Sequence, residues 1–195
     1  MDRRNVLMAM AGTAIAPILA ATPANTALAA TNKLSGGSAS QMSVVDAVAA
    51  SVPITVADYT QQVLQIGALS LQTSVFAFNK SSNLSIKRFA QLETIETIAV
   101  AQSLTSTLYP TPPPLRPANQ AILTSLEISP TNALDYNYVA EQYNAHLQLR
   151  VLQVRLLQTD PNFADDIVHI ALLAGSNIEQ HLILLTDLLI TDKLG

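Results

Sequence analysis

Two glutamates lie on the apolar face of a helical segment near the middle of the chain. Steps of four, three, four and four residues from Phe89 reach Glu93, Glu96, Val100 and Leu104, which is the spacing of one helix face. A buried carboxylate without a partner is unstable, and two neighbouring carboxylates repel each other. We therefore expect a proton, a basic partner, water or a metal ion to offset the charge of Glu93 and Glu96.

Two histidines occupy comparable places on later helical segments. His146 shares a face with Val139 and Leu149, and His181 lies on a stripe that also carries Leu185. Carboxylates and imidazoles that project from facing helices bind metal in di-iron bundles, so the chain has four candidate metal ligands, with iron or manganese as the metal. These candidates are Glu93, Glu96, His146 and His181.

The same four side chains could instead form a polar layer that fixes how the helices pack. The spacing favours this alternative, because di-iron bundles carry Glu-x-x-His on two helices and the chain has no Glu-x-x-His. Glu141 precedes His146 by five residues, and Glu179 precedes His181 by only two. The sequence therefore favours no cofactor, and a metal site requires the four side chains to converge within several ångströms.

Other chemistry finds little support in the sequence. There is no cysteine, which excludes thiolate metal sites, haem attachment through cysteine and thiol catalysis. No Gly-x-Ser-x-Gly elbow and no phosphate-binding glycine loop occurs. His169 follows Asp165 and Asp166 and is predicted to be solvated, and Tyr136, Tyr138 and Tyr143 are predicted to pack with their hydroxyls in water.

The N-terminal segment 1–29 has the form of an export signal. Arg3 and Arg4 precede a mildly apolar run from Val6, and a small-x-small cleavage site ends at Ala29. The paired arginines resemble the twin-arginine consensus, and an ordinary secretion signal is the alternative. We expect the mature protein in the periplasm or otherwise exported. The twin-arginine route carries folded chains, often because a cofactor is loaded first, which favours the metal hypothesis.

Charge and composition limit the partners of the mature chain. Removal of residues 1–29 takes away one acidic and two basic residues and changes the formal charge from −4 to −5. This charge, without a cluster of basic residues, argues against nucleic acid as a partner. We also expect no transmembrane segment in the mature chain, while a protein partner in the envelope is compatible with the composition.

Four long helices and no sheet are expected in one domain over residues 55–191, after a flexible leader over residues 30–54. The fourth helix contains Gly175-Ser176-Asn177, which could kink or split it. A long Pro-rich link that includes a short segment, 119–128, separates the second helix from the third. The predicted helices cover residues 55–79, 84–108, 133–158 and 161–191. The predicted fold is an all-α, ferritin-like four-helix bundle.

Three short stretches resemble a bacterial domain-of-unknown-function family of exported proteins, whose members are labelled periplasmic or outer membrane proteins. They are Lys80 to Gln91, Leu134 to Val139 with His146, and Glu179 to Leu182. The resemblance implies a ferritin-like four-helix bundle over about residues 55–190. The family's second helix carries an acidic residue followed by His, whereas Thr97 follows Glu96 here, and Gly175-Ser176-Asn177 replaces a proline common before the fourth-helix histidine.

Two functions are compatible with these observations. The favoured one is a non-catalytic exported bundle that acts by protein interaction in the cell envelope, because the metal constellation is incomplete by di-iron standards. The alternative is a ferritin-like, di-iron type oxidoreductase or metal-storage protein. The sequence therefore leans away from an enzyme.

Overall fold

The computed structural model describes residues 54–106, 111–159 and 166–191. The predicted export signal and nearly all of the predicted leader lie outside these residues. Within them the chain forms five α-helices and no strand, which confirms the all-α fold class. The helices are α1, Val56–Lys80; α2, Leu84–Thr105; α3, Pro117–Glu127; α4, Thr131–Thr159; and α5, Asp166–Thr191.

Side-chain caps fix the beginnings of the first two helices. The Thr55 hydroxyl accepts a hydrogen bond from the Asp58 backbone N–H at 3.0 Å and donates to the Asp58 carboxylate at 2.7 Å. The Thr55 hydroxyl thereby satisfies one of the backbone N–H groups that have no partner within the first turn of α1. Asn83 caps α2 by accepting from the Ser85 N–H at 2.9 Å. A connection of only three residues, 81–83, joins α1 to α2, and the two helices pack against each other.

The segment predicted as part of a link contains the helix α3. Pro117 stands at the first position of this helix, where its missing N–H removes no helical hydrogen bond. Leu123 and Leu126 bury one face of α3, and the helix packs against α1 and α4. Residues 111–116 before it are not helical, and residues 107–110 lie outside the described residues, so a continuous Pro-rich link stays a prediction.

The four longer helices pack in a closed cycle, in which α1 contacts α2 and α4, and α5 contacts the same two helices. One apolar cluster includes Phe89, Tyr138 and Leu185, and a second includes Leu104 and Leu152. On α2, α4 and α5 the residues of the two clusters lie on opposite sides of Glu93, His146 and His181 in sequence. A buried polar layer therefore separates two apolar layers.

Helix α5 is continuous through Gly175, so the break considered from the sequence does not occur. A Cβ atom on Gly175 would collide with the side-chain amide of Gln153 on α4. That amide instead crosses to α5 and donates a hydrogen bond to the Ala171 carbonyl at 3.0 Å. The glycine is thus a contact point between α4 and α5, and the local sequence alone does not reveal this.

Helix α5 is also long and apolar enough, over Asp166–Ile190, to cross a membrane by length and composition. Core helices of soluble proteins pass the same test, so this is weak support for a membrane span. About a third of the apolar window (33%) is buried, and the helix carries the buried His181. Leu173, Ile183 and Ile190 are exposed. The absence of a transmembrane segment from the mature chain therefore stays a prediction.

Candidate metal centre

Three helices bring the four predicted residues together. Glu93 and Glu96 come from α2, His146 from α4 and His181 from α5. Glu93, His146 and His181 are buried, with 4%, 2% and 4% of their surfaces exposed, while the Glu96 side chain is 30% exposed. The convergence that a metal site requires is therefore present.

Three donor atoms form a small triangle in the polar layer. Glu93 Oε2 lies 3.3 Å from His146 Nε2 and 3.1 Å from His181 Nδ1, and the two ring nitrogens lie 2.9 Å apart. Glu96 stands outside this triangle, since its Oε2 lies 3.2 Å from the other nitrogen of His181, Nε2. Among the described residues, Glu93, His146 and His181 thus group as possible metal ligands.

The outer ring nitrogens determine where the hydrogens sit. His146 Nδ1 lies 2.7 Å from the Gln142 carbonyl, which can only accept, so this nitrogen carries a hydrogen. His181 Nε2 likewise donates to the Glu96 carboxylate. In the neutral rings, His146 Nε2 and His181 Nδ1 then present lone pairs towards each other and towards Glu93 Oε2. Three such acceptors repel at these distances, so a proton or a metal cation must lie among them.

The second oxygen of Glu93 is fixed by hydroxyl groups on two helices. Ser70 on α1 donates to Oε1 at 2.6 Å, and Thr97, one turn further along α2, donates at 2.9 Å. These bonds point Oε2 at the histidines. Sequence analysis missed Ser70 and Thr97, although Ser70 follows Ile66 by four residues and Thr97 follows Glu93 by four, which places each on an inward face.

A buried amide connects the two sides of the cluster. Ser70 Oγ also lies 2.7 Å from Gln142 Oε1, so its hydrogen is shared between this oxygen and Glu93. Gln142 Nε2 donates to Thr73 at 2.8 Å. Gln142 is 0% exposed, and its backbone carbonyl is the acceptor that orients His146. Gln142 therefore positions Ser70, which binds Glu93, and also the imidazole of His146.

Aromatic rings pack against one side of the cluster of Glu93, His146 and His181. The Phe89 ring meets the His181 ring edge-on, with centroids 5.3 Å apart, and meets the Tyr138 ring at 6.4 Å. The expectation of a solvated Tyr138 hydroxyl is wrong, because this side chain is 0% exposed and its hydroxyl pairs with Ser74 at 2.9 Å. Burial raises the pKa of Tyr138 well above its usual range.

Opposite charges within the cluster stabilise each other. Burial alone would raise the pKa of Glu93, but hydrogen bonds from His146 and His181 and the charge of His146 outweigh it and hold this pKa far below its usual range. Burial alone would lower the pKa of His146, and the hydrogen bond and charge of Glu93 outweigh that effect and raise it. Without a metal, the cluster therefore keeps a carboxylate and an imidazolium in contact.

His169 takes no part in the cluster. Its side chain is 58% exposed, and its Nδ1 lies 4.0 Å from an Asp166 oxygen that is also in solvent. This confirms the solvated position predicted for it. His169 is therefore a matched control for substitutions of His146 and His181.

A cavity of about 100 Å³ lies beside the cluster, and Phe89 is not among the residues that line it. Glu93, His146 and His181 line one end. The walls are largely apolar and include Val63, Leu64, Leu71, Val100, Leu149 and Ile178. The arrangement therefore combines three convergent donor atoms with an apolar space beside them, as in many ligand-binding sites.

Replacement of Glu141 by glutamine should stabilise the protein at high pH. Burial raises the pKa of this carboxyl on α4 from 4.5 to about 7. A raised folded-state pKa makes the charged form unfavourable, so the penalty is complete above about pH 7 and absent below the unfolded value of 4.5. We expect Glu141→Gln to gain about 3 kcal/mol at pH 8 and nothing near pH 4 in urea unfolding.

The exposed Glu127 on α3 provides the control for this prediction, because Glu127→Gln should leave the unfolding free energy unchanged at both pH values. A gain for Glu141→Gln that is equal at pH 4 and pH 8 would contradict a titrating carboxyl.

Comparisons of the chain with protein-family models, curated proteins and solved structures gave no match. Its function must therefore be argued from the geometry of its own residues.

Proposed function

We propose that this protein binds one divalent transition-metal ion through Glu93, His146 and His181. The observation that carries the proposal is the triangle of three converging lone pairs, with each imidazole donating its other N–H to a carboxylate or a backbone carbonyl. Metal-bound histidines in proteins almost always have such a partner for the second nitrogen. Glu96 and the Gln142 carbonyl are these partners here.

The separations of the donor atoms suit a metal ion. Ligands at roughly 2.0–2.2 Å from a metal lie about 3.0 Å apart when their bonds are at right angles and about 3.4 Å apart in a tetrahedron. The edges of the triangle, 2.9, 3.1 and 3.3 Å, span this range. Two histidines and one carboxylate on a single face, with open positions opposite, are typical of mononuclear iron(II) sites. We therefore propose iron(II) as the first candidate.

A single ion accounts for the ligands better than a di-iron centre. Ferritin-like di-iron sites take glutamates from all four helices and two histidines. Here the triangle holds one glutamate, and the described part of α1 contributes the neutral Ser70 instead. The proposal therefore narrows the sequence-based alternative to a mononuclear site. The closed cycle of four long helices supports a ferritin-like bundle as the scaffold.

A purely structural polar layer would use the same contacts with a proton in place of the metal. The ion pair of Glu93 with the His146 imidazolium is well formed, so geometry alone is compatible with both occupants. Metal analysis separates them, because a proton leaves no metal in the purified protein.

We expect the purified protein to contain about one equivalent of iron, or to take it up as Fe²⁺ under anaerobic conditions, by elemental analysis. The double variant His146→Ala, His181→Ala should lose the metal because only one ligand remains. His169→Ala, which removes an exposed histidine on the same helix as His181, should keep it. Absence of metal from a folded wild-type protein, and failure to bind added Fe²⁺, Mn²⁺ or Zn²⁺, would refute the proposal.

We propose as a second candidate the role favoured by the sequence, an exported protein that acts through a partner in the cell envelope. The exposed apolar side chains Leu173, Ile183 and Ile190 on α5 support it, since protein contacts bury such groups. Cell fractionation tests the location, and a pull-down from the native envelope that fails with Ile183→Glu tests the surface. The two candidates concern different faces of the molecule and are compatible.

A further inference from the structure

Residues with small side chains on three helices line the cavity beside the cluster. Gly67 on α1, Ala101 on α2 and Ala174 on α5 all line it. Protein interiors are close-packed and hold few voids larger than a water molecule. A space of about 100 Å³ is of the order of apolar cavities, about 150 Å³, that bind a molecule of the size of benzene. The space therefore suits a small ligand.

Polar groups are concentrated at one end of this space. Glu93, His146 and His181 form that end, and the hydroxyl of the nearby Thr97 is already bound to Glu93. Glu96 and Asn177 also line the cavity, and the Asn177 amide donates a hydrogen bond to the Glu96 carboxylate at 3.3 Å. Asn177 is exposed, so the cavity reaches the surface at this pair. A ligand would thus enter beside Glu96 and Asn177 and meet walls that are largely apolar, in which Tyr59 and Thr111 are the other polar residues.

We propose that the cavity binds a short, uncharged, apolar molecule with a single lone-pair group, such as a hydroxyl, that occupies an open position on the metal. This inference rests on the proposed metal site. Phe89 packs against the His181 ring and does not line the cavity, so open positions on a bound metal would face the cavity. The carboxylates of Glu93 and Glu96 disfavour an anion, and the apolar walls disfavour a charged tail.

The test uses a series of straight-chain primary alcohols from ethanol to hexanol, added to the full-length protein loaded with Co²⁺. Visible absorption reports coordination of the hydroxyl to cobalt, and calorimetry reports affinity. We expect binding to tighten by about fourfold for each added methylene until the cavity is full, because each CH₂ leaves water for apolar walls. Beyond that length the gain should stop. Affinity that is independent of chain length would overturn the proposal.

A matched pair of variants on α2 locates the bound tail. Ala101→Leu places a larger side chain in the cavity, whereas Ala99→Leu makes the same change at an exposed position. We expect the first to weaken pentanol binding more than tenfold and the second to leave it unchanged, with both retaining Co²⁺. Ala174→Leu on α5 is the second cavity variant in case Ala101→Leu does not fold. Equal affinities in a folded cavity variant and in Ala99→Leu would refute a cavity-bound tail.

The apoprotein separates failure of this inference from failure of the metal proposal. If the chain binds no metal, the alcohol series can still be measured by calorimetry on the apoprotein, where the dependence on chain length should persist with weaker overall affinity. If affinity depends on alcohol chain length without a metal, binding of the tail in the apolar cavity would be supported, and coordination of the hydroxyl to a metal would be refuted. Metal binding without any alcohol binding would support the proposed function and overturn the inference.

Discussion

Replacing Glu93 with alanine is expected to destabilise the metal-free protein by about 3–5 kcal/mol, the usual effect of removing one member of a buried ion pair. The variant leaves the imidazolium of His146 without its counter-ion and the hydroxyls of Ser70 and Thr97 without their acceptor. The unfolding midpoint should fall by about 10 °C or more in a calorimetric scan of the apoprotein at pH 6.

The effect of this substitution should depend on pH in one direction. The folded-state pKa of Glu93 is depressed, so its contribution to stability is complete above the unfolded value of 4.5 and is lost as the pH falls below it. The difference between wild type and Glu93→Ala should therefore be smaller at pH 3 than at pH 6. A difference that grows as the pH falls would contradict a charged Glu93.

Two controls separate the buried charge from other effects. Glu93→Gln keeps the shape and one acceptor for the hydroxyls, so it should destabilise less than alanine, although it also removes one of the proposed metal ligands. Glu179→Ala removes a half-exposed carboxylate of α5 that lies 2.7 Å from Arg150 of α4, and because solvent screens a carboxylate at this exposure, its loss should cost less than the loss of the buried Glu93. Equal losses at positions 93 and 179 would show that burial of the pair is unimportant.

Local signals in the sequence account for most of the helices. Thr55 and Asn83 cap their helices by accepting hydrogen bonds from backbone N–H groups no more than three residues away. The beginnings of α1 and α2 could therefore be predicted to within a residue. The contact between Gln153 of α4 and Gly175 of α5 could not be predicted, because it depends on how these two helices pack. The sequence places the region of α3 in a link. The burial of Leu123 and Leu126 depends on contacts with other helices, and the local sequence does not reveal these contacts.

Helical periodicity also identified the centre of the site, but not the role of each residue. Glu93 and Glu96 are three residues apart, which corresponds to about 300° around a helix axis, so they point in directions about 60° apart. Glu96 therefore contacts the outer nitrogen of His181 instead of joining the triangle. The absence of Glu-x-x-His argues against a dinuclear metal site, because that spacing is typical of di-iron bundles, but it does not argue against a mononuclear site. A mononuclear site that takes one ligand from each of three helices leaves no fixed spacing in the sequence.

Metal affinity is expected to weaken steeply as the pH falls, because a metal ion and a proton compete for His146 Nε2. Glu93 raises the pKa of His146 above its ordinary value of 6.5, so the proton competes to a higher pH than it would on an isolated histidine. Below that raised pKa, the dissociation constant should increase about tenfold for each pH unit. Titration with Zn²⁺ between pH 5.5 and pH 8 would measure this slope.

Proton release gives an independent measure of the same competition. At a pH where His146 is protonated, metal binding should release about one proton from it, and calorimetry in buffers of different ionisation enthalpy would count it. The exposed His169 lies outside the cluster, so His169→Ala should give the same slope and the same count. An affinity that is flat from pH 5.5 to pH 8, without proton release, would mean that the metal does not bind to His146. The imidazolium–carboxylate pair would then be the natural state of the polar layer, and Glu93 would serve packing alone.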